Sequence, residues 1–451
     1  MNNGKGNKLK LAAKLAGSLC AAVLLTGSLG VSAAKLTDID GHWSKDYVEY
    51  GVQKGYINGY EDGSFRPEAT VTRAEFSKMI NASVGIAKTA DISFNDISSG
   101  DWYYQEVRKA VYAGYTNGYE DDTFRAENSI TREEAAVILS RIATRAEKTK
   151  SLSSFRDTDE IADWAEDAFE LVCSKGYITG DEQKRLQPKG LLTRGQAAKI
   201  IYSLITTENI CAKDYTISAF NPTCSETIFT GDVIFSSNLL KSSLSLDGCR
   251  ILGMLKISGR GGAEISAKDS HIGAIEVKGA DPTITLADSY AKYVYLDAPA
   301  SLAGSRYGTV YLSGDNLVSG TVEINAKPEK TVISTDSIVR FGDLPLLEIT
   351  KKASVTVQSG KIASMTVASG AQGSVITLSN DVEVDNLTVN AAVSFRGKGE
   401  IASAVNNVSG VTYETRPNKV TGKDSSSGSS GETDPDGYFS PSLISPSKSE
   451  T

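Results

Sequence analysis

The chain writes one segment nearly twice: NGYEDGSFRPEATVTRAEF runs from Asn58 to Phe76, and NGYEDDTFRAENSITREEA from Asn117 to Ala135. Periodicity restricts a fold more than local propensity does, because each unit has to pack against a copy of itself. Two sets of anchors give the same period. Trp102 and Trp164 lie 59 and 121 residues after Trp43, and Thr131 and Thr193 lie 59 and 121 residues after Thr72. Between the tryptophan and the threonine the three copies align without a gap. Three units of one supersecondary type are therefore expected in the first half.

Each unit opens on a short stretch containing Asp: LTDI at Leu36, FNDI at Phe94 and FRDT at Phe155. After the tryptophan, apolar residues superpose at Val48, Val107 and Phe169, and four residues later at Val52, Val111 and Cys173, which predicts a helix with Cys173 in a core slot. Gly55, Gly114 and Gly176 close these helices, where the chain needs a positive φ beyond the last turn. A second helix begins at each threonine. Thr72 with Glu75, Thr131 with Glu134 and Thr193 with Gln196 fit the capping box, in which hydroxyl and carboxyl (or amide) satisfy backbone donors.

The capping box accounts for Thr and Glu but not for the arginine between them. Arg73, Arg132 and Arg194 fall in the first helical turn, where the helix dipole disfavours a cation by a few tenths to ~1 kcal/mol. Three copies of a locally unfavourable choice imply a use for the charge. One use is recognition of a carboxylate or phosphate by the guanidinium beside free helix N–H groups, with charge-assisted hydrogen bonds of roughly 1.5–3 kcal/mol each. The other is an ion pair with a neighbouring unit. Anion recognition is the preferred expectation. Arg66 and Arg125 flank the acidic loop and are further anion candidates, a charge that Gln187 in copy three does not supply. Trp43, Trp102 and Trp164 are secondary candidates for stacking on sugar rings, although a single Trp at a recurring helix entry more commonly anchors a core.

The three units, from about Leu36 to Ile205, resemble S-layer homology (SLH) modules, whose signature joins Phe-x-Asp, a following Trp, Gly-Tyr-Ile-x-Gly-Tyr-x-Asp-Gly-x-Phe-x-Pro and Thr-Arg-Ala-Glu. Copy one carries nearly all of it as GYINGYEDGSFRPEATVTRAEF, and the match covers a little under 40% of the chain. The resemblance implies a three-fold pseudosymmetric helical unit that holds exported proteins on the envelope by binding secondary cell wall polysaccharide, often through pyruvylated sugar. It also implies that Arg73, Arg132 and Arg194 are the binding arginines, in grooves between adjacent modules. Copy two departs from the pattern at Asp122 and Glu133. Copy three reads GYITGDEQKRLQPKGLLTRGQ, without the second Tyr and the Asp-Gly turn and with Gln196 for the acid, so its site is in doubt while its fold is expected to be kept.

Charge and cysteine usage agree with an exported protein. Lys5, Lys8, Lys10 and Lys14 precede the apolar run LAGSLCAAVLLTGSLGV and small residues near Ala33 or Ala34, the pattern of a secretory signal. Leu19 before Cys20, and the apolar run beyond it, argue against a lipoprotein. Removal of four lysines takes the formal charge from −8 to −8 − 4 = −12, which argues against nucleic acid and anionic membranes as partners. Cys173, Cys211, Cys224 and Cys249 have no C-x-x-C spacing and their pairing is left open. With only His42 and His271 in the chain, a histidine-based triad or zinc cluster has little to draw on.

Beyond about Thr206 short alternating runs take over: LSLDG at Leu244, LKISG at Leu255, IEVKG at Ile275, VYLDA at Val294, VYLSG at Val310, VEINA at Val322, VTVQSG at Val355, MTVASG at Met365 and LTVNA at Leu387. The first six start 11, 20, 19, 16 and 12 residues apart, too irregular for a strict repeat. A parallel β-solenoid with coils of roughly 20 residues is expected. A β-sandwich is the alternative, disfavoured because no Trp follows Trp164. The texture also resembles, loosely, β-solenoid regions found beside SLH modules. Asp281, Asp288, Asp297, Asp315 and Asp343 are scattered, so no carboxylate pair for glycoside hydrolysis stands out, and His271 is expected at the surface or in a turn.

The expected organisation is therefore a signal peptide at 1–34, SLH modules at 35–91, 92–150 and 151–206, a β-rich domain at 207–420 and a disordered Ser/Gly/Pro-rich tail at 421–451. The expected function is non-covalent anchoring to wall polysaccharide, with the β half as a structural or adhesive surface element and self-assembly open to it. A carbohydrate-degrading enzyme on a β-helix, such as a polysaccharide lyase, is the alternative. No catalytic set, metal or cofactor is expected, no membrane contact once the signal is removed, and no nucleic-acid partner.

Overall fold

Six helices come first and 21 strands follow in the computed structural model, which describes residues 36–145, 152–217, 222–237, 242–259, 261–279, 281–315 and 317–423. The expected signal peptide and nearly all of the expected tail lie outside these residues. The last strand ends at Gly422, two residues inside the expected tail.

The helices pair as the repeat requires: α1 (Lys45–Lys54) with α2 (Arg73–Val84), α3 (Tyr104–Tyr112) with α4 (Arg132–Ile142), and α5 (Glu166–Ser174) with α6 (Arg194–Thr207). Thr72, Thr131 and Thr193 each close a complete capping box, Gln196 serving in the third as Glu does in the others. The closing glycines have φ of 79° at Gly55, 70° at Gly114 and 74° at Gly176, where a Cβ would be strained. Cys173 is 1% exposed and fills the slot expected of it. The Asp of each opening stretch holds the next loop in place. Asp38 accepts from the N–H groups of Phe65 and Arg66, Asp96 from Phe124 and Arg125, and Asp157 from Leu186 and Gln187, all at 2.6–2.8 Å.

A ring of backbone hydrogen bonds ties the three units around one axis. Val71 N–H donates to Leu192 O (2.9 Å), Leu192 N–H to Ile130 O (2.9 Å) and Ile130 N–H to Val71 O (3.1 Å). Each unit thus supplies one donor and one acceptor. All three residues are part of the buried helical core except that their backbones close the ring.

The second half is a parallel β-solenoid of about eleven coils. Its spacing, irregular in sequence, is regular in register. The 20-, 19- and 16-residue steps are full coils, pairing Leu255 with Ile275, Ile275 with Val294, and Val294 with Val310. The 11- and 12-residue steps are changes of face, from β6 (Ser242–Asp247) to β7 (Arg250–Gly259) and from β11 (Ser301–Leu312) to β12 (Thr321–Ile324). One inward column runs Leu255, Ile275, Val294, Val310, Thr331, Leu347 and Met365 through the centre, every member 0% exposed. Burying each aliphatic side chain contributes about 1.5–3 kcal/mol. Coil length can vary because only the inward residue of each face must meet its neighbour.

Thr331 is the exception in that column, since its buried hydroxyl has no hydrogen-bond partner among the described residues. An unpaired buried hydroxyl costs about 1–3 kcal/mol, and valine has nearly the same shape. Thr331→Val is therefore expected to stabilise the protein by about 1 kcal/mol in urea denaturation followed by circular dichroism. An unchanged or lowered midpoint would mean that the hydroxyl is satisfied.

The helical unit covers the start of the solenoid, whose first coil would otherwise expose strand edges and apolar ends. Ile228 and Leu252 of the solenoid lie in the helical core. Arg250 donates from Nε to Ala143 O (2.7 Å) and from Nη2 to Ser140 O (3.0 Å), at the C-terminal end of α4. Asp232, 3% exposed, accepts from Lys88 of the helical unit (2.6 Å) and Lys256 of the solenoid (2.7 Å). No helix among the described residues is long and apolar enough to cross a membrane. Cys173 and Cys249 are buried, and Cys211 and Cys224 are half-buried.

Candidate carbohydrate-binding grooves

The three signature arginines lie at the seams between modules, each reaching from the start of its own second helix into the loop of the next. Arg73 donates from Nε to Phe124 O (3.0 Å) and from Nη1 to Glu134 (3.1 Å). Arg194 closes the circle back to module one, donating to Phe65 O (2.9 Å) and Glu75 (2.9 Å). Arg132 donates to Leu186 O (2.6 Å) and Thr179 O (3.3 Å) of module three. The order is cyclic, and all three residues are 6–9% exposed.

Two of the three are therefore inter-module ion pairs, the second of the uses open to them from sequence. The expectation of free N–H groups beside the guanidinium does not hold. Arg73 N–H donates to Asn128 O and Ala74 N–H to Ala126 O, with Arg132 and Glu133 on Gly190 O and Pro188 O, and Arg194 and Gly195 on Ala69 O and Pro67 O. Each loop thus satisfies the helix start of the preceding module, and any anion has to be held by side chains. The first-turn cation is tolerated because carbonyls of the next loop, not the helix's own N–H groups, face its Nε.

Arg132 differs from the other two. No carboxylate lies within ion-pair distance of it among the described residues, because Gln196 stands where Glu75 and Glu134 stand. Tyr60 and Tyr119, whose rings lie 4.7 Å from the guanidinium carbons of Arg194 and Arg73, are replaced by Asp181. Burial pushes the Arg132 pKa down. Its guanidinium opens on a cleft of about 510 Å³ that also includes Trp43, Arg185, Gln187, Gln196 and Lys199. A second cleft, of about 250 Å³, lies over the loop of module one and includes Arg194, Glu75, Lys78 and Trp102.

The tryptophans correct the core-anchor expectation. Trp43, Trp102 and Trp164 are 51%, 55% and 59% exposed. The indole at each helix entry stays on the surface, and the apolar positions that follow, Val48, Val107 and Phe169, do the packing. Each cleft gathers three modules: for the larger one the loop is from module three, the arginine from module two and Trp43 from module one. The smaller follows the same rotation, with loop one, Arg194 and Trp102. Lys78 sits 5.4 Å from the Trp102 ring.

Arg66 and Arg125 are exposed and already engaged. Arg66 pairs with Asp62 (2.7 Å) over the Tyr60 ring, and Arg125 with Asp121 (2.9 Å) over Tyr119. Both have positive φ, 58° and 57°, held by the Asp38 and Asp96 carboxylates. His271 is neither a turn nor a free surface residue. It opens β9 (His271–Gly279) with its ring 5.2 Å from that of Tyr290, and burial followed by the nearby Arg250 pushes its pKa down to about 3. No group of His, Cys, Asp and Glu suited to a metal ion occurs among the described residues.

A helical unit of three cyclically locked modules on a parallel β-solenoid defines a modular surface protein. The S-layer homology domain family matches residues 35–77, 93–136 and 154–198. The protein is an SLH domain-containing cell-surface protein. Its relatives include the surface-layer 125 kDa protein of Lysinibacillus sphaericus, 30% identical over 46% of this chain and 18% of that one. The cellulosome-anchoring protein of Acetivibrio thermocellus is 28% identical over 34% of this chain and 35% of its own length. The exoglucanase XynX of Acetivibrio thermocellus is 35% identical over 42% of this chain and 18% of its own. The chain spans between 7% and 35% of the length of the curated relatives it matches, and the matches lie at the SLH region.

Proposed function

We propose that the helical unit anchors the protein non-covalently to the cell wall by binding secondary cell wall polysaccharide in its inter-module grooves. The group recognised is a carboxylate such as a pyruvate ketal, and the solenoid is a structural or adhesive surface element. The observation that carries this reading is the convergence of a buried arginine, a polar loop and a half-exposed tryptophan from three different modules on one cleft. A guanidinium suits a carboxylate, and an indole face suits the C–H face of a sugar. Several such grooves on one rigid body give avidity on a polymeric ligand. Relatives described as cellulosome-anchoring and surface-layer proteins support the wall as the place of attachment.

The test is co-sedimentation of the full-length protein with purified sacculi, native and stripped of secondary polysaccharide. Native sacculi alone should retain it. Replacing Trp43 and Trp102 by Ala should reduce retention at least tenfold, while stability changes by no more than about 0.5 kcal/mol per site because both indoles are exposed. Equal binding to both walls, or full retention of the double variant, would sink the proposal.

A further inference from the structure

We infer that the three seams are unequal and that Gln196 makes the cleft over the third module's loop the dominant carboxylate site. The inference rests on the wall-glycan binding proposed above and concerns which groove performs it.

In the other two seams the arginine is neutralised from inside the protein. Glu75 uses one oxygen to accept from Thr72 N–H (3.0 Å) and the other to accept from Arg194 Nη1 (2.9 Å). Glu134 does the same for Thr131 N–H (2.9 Å) and Arg73 Nη1 (3.1 Å), and Tyr119 donates to that second oxygen as well. A ligand carboxylate arriving there has to displace a fixed one. In the third seam Gln196 Oε1 accepts from Thr193 N–H (3.2 Å), which keeps the cap. The other atom of the amide is then Nε2, a donor, in place of the carboxylate oxygen that accepts from arginine in the other two seams. Arg132 Nη1 and Gln196 Nε2 are donors with no acceptor among the described residues, and both residues line the same cleft.

Such a pair of donors, one of them charged and nearly buried, accepts a carboxylate and gains little from a neutral hydroxyl. The cleft is also the roomier, at about 510 Å³ against about 250 Å³. Asp181 and Glu182 line it and oppose an anion. Asp181 is already engaged, accepting from Arg185 Nε (3.0 Å), Arg185 N–H (2.8 Å) and Gln187 Nε2 (2.8 Å). Lys199 adds a further cation at the rim.

The chain contains its own controls for a reciprocal exchange. Gln196→Glu installs in module three the pair that modules one and two already carry, and Glu134→Gln installs in module two the pair that module three carries. Both keep the capping box, so both should fold. The probes are a synthetic 4,6-pyruvylated monosaccharide, titrated calorimetrically into full-length protein, and native sacculi. Wild type is expected to bind the sugar at one dominant site, and the sugar without its ketal at least tenfold more weakly. Gln196→Glu should lose at least tenfold in affinity on both probes, and Glu134→Gln should gain a second site. Unchanged binding by Gln196→Glu would overturn the assignment while leaving wall binding intact. Wild type that binds neither probe would overturn both.

Discussion

Arg194→Ala is expected to destabilise the protein by about 3 kcal/mol, because it removes one partner of a largely buried ion pair and leaves the other unpaired. The side chains of Arg194 and Glu75 are 7% and 23% exposed. Arg194 also supplies a hydrogen bond to Phe65 O at 2.9 Å and spans the seam that returns from module three to module one. Opening one seam should loosen the ring of bonds joining Val71, Leu192 and Ile130. Urea denaturation followed by far-ultraviolet circular dichroism would measure the loss. Glu75→Gln should cost distinctly less than Arg194→Ala, since the third seam closes with Gln196 in that place and Arg132 bonded to the carbonyls of Leu186 and Thr179. Equal costs for the two would show that the ion pair, not the arginine's carbonyl contacts, holds the seam.

Arg250→Met is expected to cost about 2–4 kcal/mol and to separate the unfolding of the two halves. The guanidinium makes two hydrogen bonds to carbonyls at the C-terminal end of α4, at 2.7 and 3.0 Å. Bonds to charged groups contribute about 1.5–3 kcal/mol each, and a cation at a helix C-terminus adds a smaller favourable dipole interaction. Burial lowers the Arg250 pKa to about 10, so the charge is present at neutral pH. Methionine keeps the apolar stem and leaves both carbonyls without a donor. Near-ultraviolet tryptophan signals report only the helical unit, because all three tryptophans lie there, while far-ultraviolet signals report both. In wild type the two transitions should coincide, and in Arg250→Met they should part. Coincident transitions in the variant would show that apolar contacts such as Ile228 and Leu252 suffice to couple the halves.

Much of the helical unit was legible because its determinants are local or periodic. The capping boxes at Thr72, Thr131 and Thr193 depend on residues three positions apart, and the Cys173 slot follows from superposing one helix on two others. The solenoid was legible in kind because its strands alternate, but its register was not. Strands with Ala at inward positions, such as β8 (Ala263–Lys268), alternate perfectly in burial yet carry too little apolar contrast to stand out.

The candidate site divides along the same line. That Arg73, Arg132 and Arg194 have a use beyond their own helices followed from sequence, since a cation in the first turn is locally unfavourable. What each touches did not, because every partner comes from another module, 51 residues away for Arg73 and Phe124 and 129 for Arg194 and Phe65. The tryptophans were misjudged toward the core for the same reason: a recurring position says that the residue matters, whereas its exposure depends on where the neighbouring modules stop.

By itself, then, the sequence determined the number of modules, the two helices and caps in each, and the parallel β character of the second half, since these rest on spacing along one chain. Only the tertiary structure decided that the modules close into a ring, that the helical unit covers the solenoid's first coils through Arg250 and Asp232, and that Gln196 leaves Arg132 facing an open cleft. Those features depend on groups far apart in the chain meeting in space, where a change from Glu to Gln alters the charge of a seam without altering the helix that carries it.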